Sequence, residues 1–123
     1  MKNIINEKVI KDLVYWIEKN IENELNIDIV AKKSGYSKWH LQRIFKNITG
    51  TTLGSYIIER RLSNAAISIC SSKNTLYNVA LQYQFDSQQS FSRSFKKHFG
   101  ITPSEWRKNL NSNNLFSLVY KAE

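Results

Sequence analysis

The sequence predicts an all-α fold of about seven helices, arranged as two helix-turn-helix subdomains joined by a long central helix. Three observations predict it. Apolar residues recur at three- and four-residue intervals along most of the chain, the spacing that gathers them on one face of a helix. No segment alternates with period two for more than a few residues, as a half-buried strand would require. One stretch also occurs twice: Ser37-x-x-x-Leu41-x-Arg43-x-Phe45-Lys46-x-x-x-Gly50 returns as Ser87-x-x-x-Phe91-x-Arg93-x-Phe95-Lys96-x-x-x-Gly100, at a constant offset of 50 residues. The 123 residues make one ordinary domain or two very small ones, and 4 glycines with 1 proline leave no material for long linkers.

The elements follow in order. Val9, Leu13, Trp16, Ile17 and Ile21 form the apolar stripe of a first helix, Glu7 to Glu24. Asn26 caps a short second helix containing Ile27, Ile29, Val30 and Ala31, with Asp28 in its first turn. Gly35 supplies a tight turn, because glycine adopts positive φ without penalty. Ser37 caps a third helix, Lys38 to about Asn47, ended by Gly50. Thr51 or Thr52 opens a long fourth helix that fades near Ser71-Ser72. Thr75 caps a short fifth helix to about Gln82, and Ser87 caps a sixth, Gln88 to His98, closed by Gly100. Pro103 fits the first turn of a seventh, Ser104 to Lys108.

The folded body is thus expected over residues 7–108, with a first helix-turn-helix at 26–50, a linker helix at 52–71 and a second helix-turn-helix at 75–100. The tail, 109–123, begins with polar turn formers, and Leu115–Tyr120 is apolar enough to dock somewhere. The second turn is one residue longer than the first and carries Gln84 where the first has Gly35. Gln84 either avoids the left-handed conformation or stores strain there.

Composition narrows the function. Eighteen Lys and Arg against 10 Asp and Glu give a net charge of +8, which favours polyanionic partners. Cys70 is the lone cysteine, expected as a small buried hydrophobe. No apolar run is long enough to span a bilayer. The basic residues do not gather on one amphipathic helix, so no membrane partner is expected. Glu7 arrives before any apolar signal-peptide core forms, and a cytoplasmic chain is expected. His40 and His98 are the only histidines. With no metal-ligand spacing, phosphate-binding glycine loop or nucleophile-base pair, neither an enzyme nor a cofactor nor a metal is expected.

In the third helix Leu41, Ile44, Phe45 and Ile48 make the inward stripe, and Trp39, Gln42, Arg43 and Lys46 share the opposite face. In the sixth, Phe91, Phe95 and Phe99 point inward while Gln89, Ser92, Arg93 and Lys96 face out, with Gln88 beside them. Arg pairs bidentately with guanine and Gln with adenine, and apolar atoms meet thymine methyls, so both faces suit the major groove. A single such face also reads as solvated surface, with Trp39 a half-buried cap; two copies on a basic chain favour DNA. Backbone contacts are expected from Ser37, Lys38, His40 and Lys46, from Ser87, Ser92, Lys96 and Lys97, and from Arg60, Arg61, Arg107 and Lys108. Arg60 or Arg61 has an alternative role, bracing the long helix. Tyr36, Tyr56, Tyr77, Tyr83 and Phe85 fall at turns and on apolar stripes and are expected as packing or cap residues rather than nucleobase-stacking platforms.

These motifs carry a resemblance. Gly35-Tyr36-Ser37-Lys38-Trp39-His40-Leu41-Gln42-Arg43-Ile44-Phe45-Lys46, Phe85-Asp86-Ser87-Gln88-Gln89-Ser90-Phe91-Ser92-Arg93-Ser94-Phe95-Lys96 and Gly100-Ile101-Thr102-Pro103-Ser104-Glu105-Trp106-Arg107 resemble the AraC/XylS family of bacterial transcription activators, in its small single-domain form, over roughly Val9 to Lys108. The resemblance implies two recognition helices in successive major-groove segments about 34 Å apart. The family's base-reading positions fall on Trp39, Gln42 and Arg43, and on Gln88, Gln89 and Arg93; Gln88 is owed to the family alone. It further implies a monomer on an asymmetric promoter site in double-stranded DNA, activation through RNA polymerase, and a role in drug-resistance or oxidative-stress responses. A rigid central helix would demand either a bent duplex or looser engagement of the second unit. The rival reading is a non-specific architectural protein or polymerase adaptor.

Overall fold

The computed structural model describes residues 4–109, and Leu115–Tyr120 lies outside them. Seven helices and no strand occur among the described residues: α1 (Ile4–Lys19), α2 (Ile27–Ser34), α3 (Lys38–Thr49), α4 (Leu53–Ser71), α5 (Leu76–Gln82), α6 (Gln88–Phe99) and α7 (Pro103–Lys108). The chain divides into two compact units between Ile58 and Glu59, inside α4.

In the first unit α1 stops at Lys19, five residues earlier than its apolar spacing predicts. Asn20 explains the stop. Its backbone N–H is shared between the Trp16 and Ile17 carbonyls and its side chain donates again to Trp16 O at 2.9 Å, a local alternative that competes with helix continuation. Ile21 and Leu25 still reach the core from the connecting turn. There they join Ile10, Leu13 and Ile17 of α1, Val30 and Ala31 of α2, and Leu41, Ile44 and Phe45 of α3. Fully burying each large side chain contributes about 1.5–3 kcal/mol. Asn26 caps α2 by accepting from Ile29 N at 2.9 Å, and Gly35 closes it at φ +80°. Tyr56 packs on Phe45 and donates its hydroxyl to Glu18 at 3.0 Å.

The second unit is built on aromatics. Phe85, Phe91, Phe95 and Phe99 follow one another with ring centroids 4.6–5.7 Å apart, and both Phe95 and Phe99 meet the Trp106 ring. Trp106 is fully buried, and its indole N–H donates to the Ala66 carbonyl at 3.0 Å, pinning α7 to α4. Thr102 and Glu105 form a capping box at the start of α7, each satisfying an amide of the other.

The longer second turn adopts the strained alternative. Gln84 sits at φ +67°. Its N–H donates to Leu81 O at 3.1 Å while Phe85 N–H reaches back to Ala80 O at 3.0 Å. This paired return is the Schellman closure of α5, with Gln where glycine usually stands.

Candidate nucleic-acid interface

Each unit presents one helix whose start is fixed by a serine. Ser37, in extended backbone, accepts from His40 N at 3.2 Å, and Ser87 accepts from Ser90 N at 3.0 Å. Each cap leaves first-turn amides free at a positive helix end. Gly50 and Gly100 terminate the two helices in the same left-handed conformation. Repeated sequence therefore gives repeated local structure.

Burying Leu41, Ile44 and Phe45 turns the other side of α3 outward. Trp39 is 84% exposed, which removes the half-buried-cap reading. Gln42, Arg43 and Lys46 are exposed beside it, and all four border one open groove of about 540 Å³. On α6, with Phe91 and Phe95 buried, Gln88, Gln89 and Arg93 are exposed and share an open groove of about 610 Å³ with the half-buried Ser92. Sequence spacing foresaw both groupings, with Gln88 only beside the second; as a base-reading candidate Gln88 is owed to the family resemblance alone.

The expected phosphate contacts separate into two kinds. Lys46, Lys96, Lys97 and Lys108 are exposed, and no ion pair holds them among the described residues. Lys38 pairs with Asp28 at 2.9 Å on the exposed surface, where an ion pair is worth about 0–1 kcal/mol and is readily exchanged. His40 is half-buried, its ring stacked on Tyr36 at 4.6 Å, and Tyr36 bonds to Asn6. Arg107 donates to the Asn74 carbonyl at 2.6 Å. Arg60 and Arg61 are half-buried with partners inside the protein, and burial pushes the Arg61 guanidinium below the usual arginine range.

Some packing expectations need correction. Ile48 is 40% exposed and leaves the stripe of α3, because it lies in the last turn, beyond the buried Phe45. Tyr77 is 52% exposed on α5, which buries only Val79 and Ala80 and is too short to cover a second face. Cys70 is only half-buried, and loss of hydration raises its thiol pKa. The apolar floor of the α3 groove, Leu25, Leu53 and Ile57 around Gly54, carries no sequence signature of its own.

No cluster of three or more His, Cys, Asp or Glu side chains able to hold a metal occurs among the described residues, and no helix there is long and apolar enough to cross a membrane. A family model described as a helix-turn-helix domain matches residues 30–109. The chain is 54% identical to the transposon Tn10 TetD protein of Escherichia coli over 101 residues, 82% of this chain and 73% of that one. The chain belongs to the AraC/XylS family of transcription regulators. Another AraC/XylS relative, the regulatory protein SoxS of Escherichia coli strain K12, is 48% identical over 104 residues, 85% of this chain and 97% of that one. A transcriptional regulator of the AraC type from Chromobacterium violaceum superposes with a TM-score of 0.81 at 31% identity, covering 90% of this chain and 99% of that one.

Proposed function

We propose that this AraC/XylS regulator is a sequence-specific transcription activator that lays α3 and α6 in successive major-groove segments of an asymmetric promoter site. The observation that carries the reading is the doubling of one exposed face: Trp39, Gln42 and Arg43 on α3, and Gln88, Gln89 and Arg93 on α6, each behind a serine cap. Arg43 and Arg93 pair with guanine edges, the glutamines with adenine, and Trp39 meets thymine methyls. Ser37, Lys38, His40 and Lys46 hold phosphates around the first element, and Ser87, Ser92, Lys96 and Lys97 around the second. Lys108 adds a phosphate contact, and Arg60, Arg61 and Arg107 contribute positive potential from more constrained positions.

By family resemblance the protein works in the cytoplasm as a monomer, recruits RNA polymerase, and serves a multidrug, oxidative or related stress-resistance regulon. Selection from a random pool of duplexes at near-physiological salt tests the DNA reading. The expected product is an asymmetric site with two short elements about ten base pairs apart. Absence of enrichment, with binding that only fades as salt rises, would overturn it and leave the architectural or adaptor reading.

A further inference from the structure

Tyr36, in the first turn, is held at both ends. Its backbone N–H donates to the Ser34 hydroxyl at 3.0 Å, and that hydroxyl donates to the Ala31 carbonyl of α2 at 2.7 Å. Its phenol hydroxyl donates to the side-chain oxygen of Asn6, 30 residues earlier on α1. Between these anchors the Tyr36 ring stacks on the His40 imidazole, with centroids 4.6 Å apart and planes within 19° of parallel. A stacked neighbour covers one face of an imidazole and leaves its edge, which carries both nitrogens, open to a partner in the ring plane. The His40 ring makes no hydrogen bond among the described residues; only its backbone N–H is taken, by Ser37. The repeat shows that the helix-turn-helix does not need this stack. At the offset of 50 residues Tyr36 becomes Asp86 and His40 becomes Ser90. The α6 cap still forms, with Ser87 accepting from Ser90 N as Ser37 accepts from His40 N. The Asn6–Tyr36–His40 chain is therefore an addition peculiar to the first unit.

We propose that Asn6 and Tyr36 are positioning residues for DNA binding: they fix the plane of the His40 ring so that an imidazole N–H donates to a backbone phosphate at the start of α3. His40 is the group that touches the phosphate, Tyr36 sets its orientation, and Asn6 acts only through Tyr36. A ring fixed before the duplex arrives loses no rotamer freedom on contact, so its hydrogen bond yields more net affinity than one from a free side chain. The proposal rests on the DNA-binding role given above, and within that role on phosphate contact alone, which is blind to sequence.

The test is a set of double-mutant cycles in the full chain, with Kd measured on a selected duplex and on a scrambled one. His40→Ala should weaken binding about three- to tenfold on both, as expected for one net hydrogen bond. Tyr36→Phe keeps the stacked ring and removes only the hydroxyl, and Asn6→Ala removes its acceptor. Each should weaken binding about three- to fivefold in the parent chain, and by less than about 1.5-fold in a His40→Ala background. A second readout needs no DNA. The His40 ring protons, shifted upfield by the stacked Tyr36 ring, should move toward ordinary values in Asn6→Ala. Losses in Tyr36→Phe and Asn6→Ala that persist undiminished without His40 would overturn the positioning role and leave a structural one. Unmoved His40 ring signals in Asn6→Ala, or a His40→Ala variant that binds both duplexes as the parent does, would overturn it equally. A parent chain that selects no duplex, while the cycle holds on the scrambled one, would count against base reading alone and sustain this assignment.

Discussion

Replacing Gln84 by glycine should stabilise the protein, and replacing Gly35 should do the reverse. Both residues close the first helix of a helix-turn-helix in the left-handed region, at φ +67° and +80°. For a residue with a Cβ that conformation costs roughly 1–2 kcal/mol. Glycine escapes that cost but gives the unfolded chain more freedom, which offsets about 0.4–1 kcal/mol of the gain. Gln84→Gly is therefore expected to add about 0.5–1 kcal/mol, or roughly 2–6 °C in Tm for a body of this size. At Gly35 an added Cβ meets nothing within 4 Å, so Gly35→Ala measures backbone conformation without a clash. It should cost about the same 0.5–1 kcal/mol. Urea and thermal melts followed by circular dichroism read both. A Gln84→Gly variant that is neutral or less stable would refute the reasoning, because contacts made by the Gln84 side chain would then outweigh the stored strain.

Other consequences separate binding from folding. Trp39→Ala should weaken binding to a selected duplex by about 1–3 kcal/mol. Because the side chain stands in solvent, its removal should leave the melting free energy within about 0.5 kcal/mol. Trp106→Phe removes a buried indole donor from the Ala66 carbonyl and leaves a smaller ring in a tightly packed site, so a loss of about 2–4 kcal/mol is expected on denaturation. The Glu105 carboxyl is held below its usual pKa by the Thr102 backbone N–H and then the Thr102 hydroxyl. The stabilisation from that carboxylate is present above the unfolded-state pKa and is lost as pH falls through the lower folded-state value. The Thr102 amide signal should accordingly titrate below the ordinary glutamate range, and the Glu105→Gln variant should lose that titration.

The repeat and its caps made most of the fold legible, because Ser37, Ser87, Asn26 and Thr75 act locally and their neighbours in sequence are their neighbours in space. The same locality puts Arg43 and Arg93 on the faces opposite the apolar stripes. What stayed hidden depended on competition or on distant chain. Asn20 ends α1 against an apolar periodicity that continues to Ile21. The Thr102–Glu105 capping box is a short-range pattern that the sequence carries alongside the Pro103 signal for the same helix start. Tyr77 and Ile48 sit on faces that nothing among the described residues covers, and periodicity alone says which residues align without saying which of them a neighbour reaches. The groove around Gly54 is assembled from Leu25, α3 and the start of α4, so no single stretch of sequence announces it.

The central claim, that the doubled face reads bases, is tested most directly by Arg43→Ala measured at one fixed salt concentration on a selected duplex and on a scrambled duplex of the same length. A bidentate pair to guanine predicts a loss of about 1–3 kcal/mol on the selected site and little change on the scrambled one. An equal loss on both would make Arg43 a phosphate contact and contradict the account.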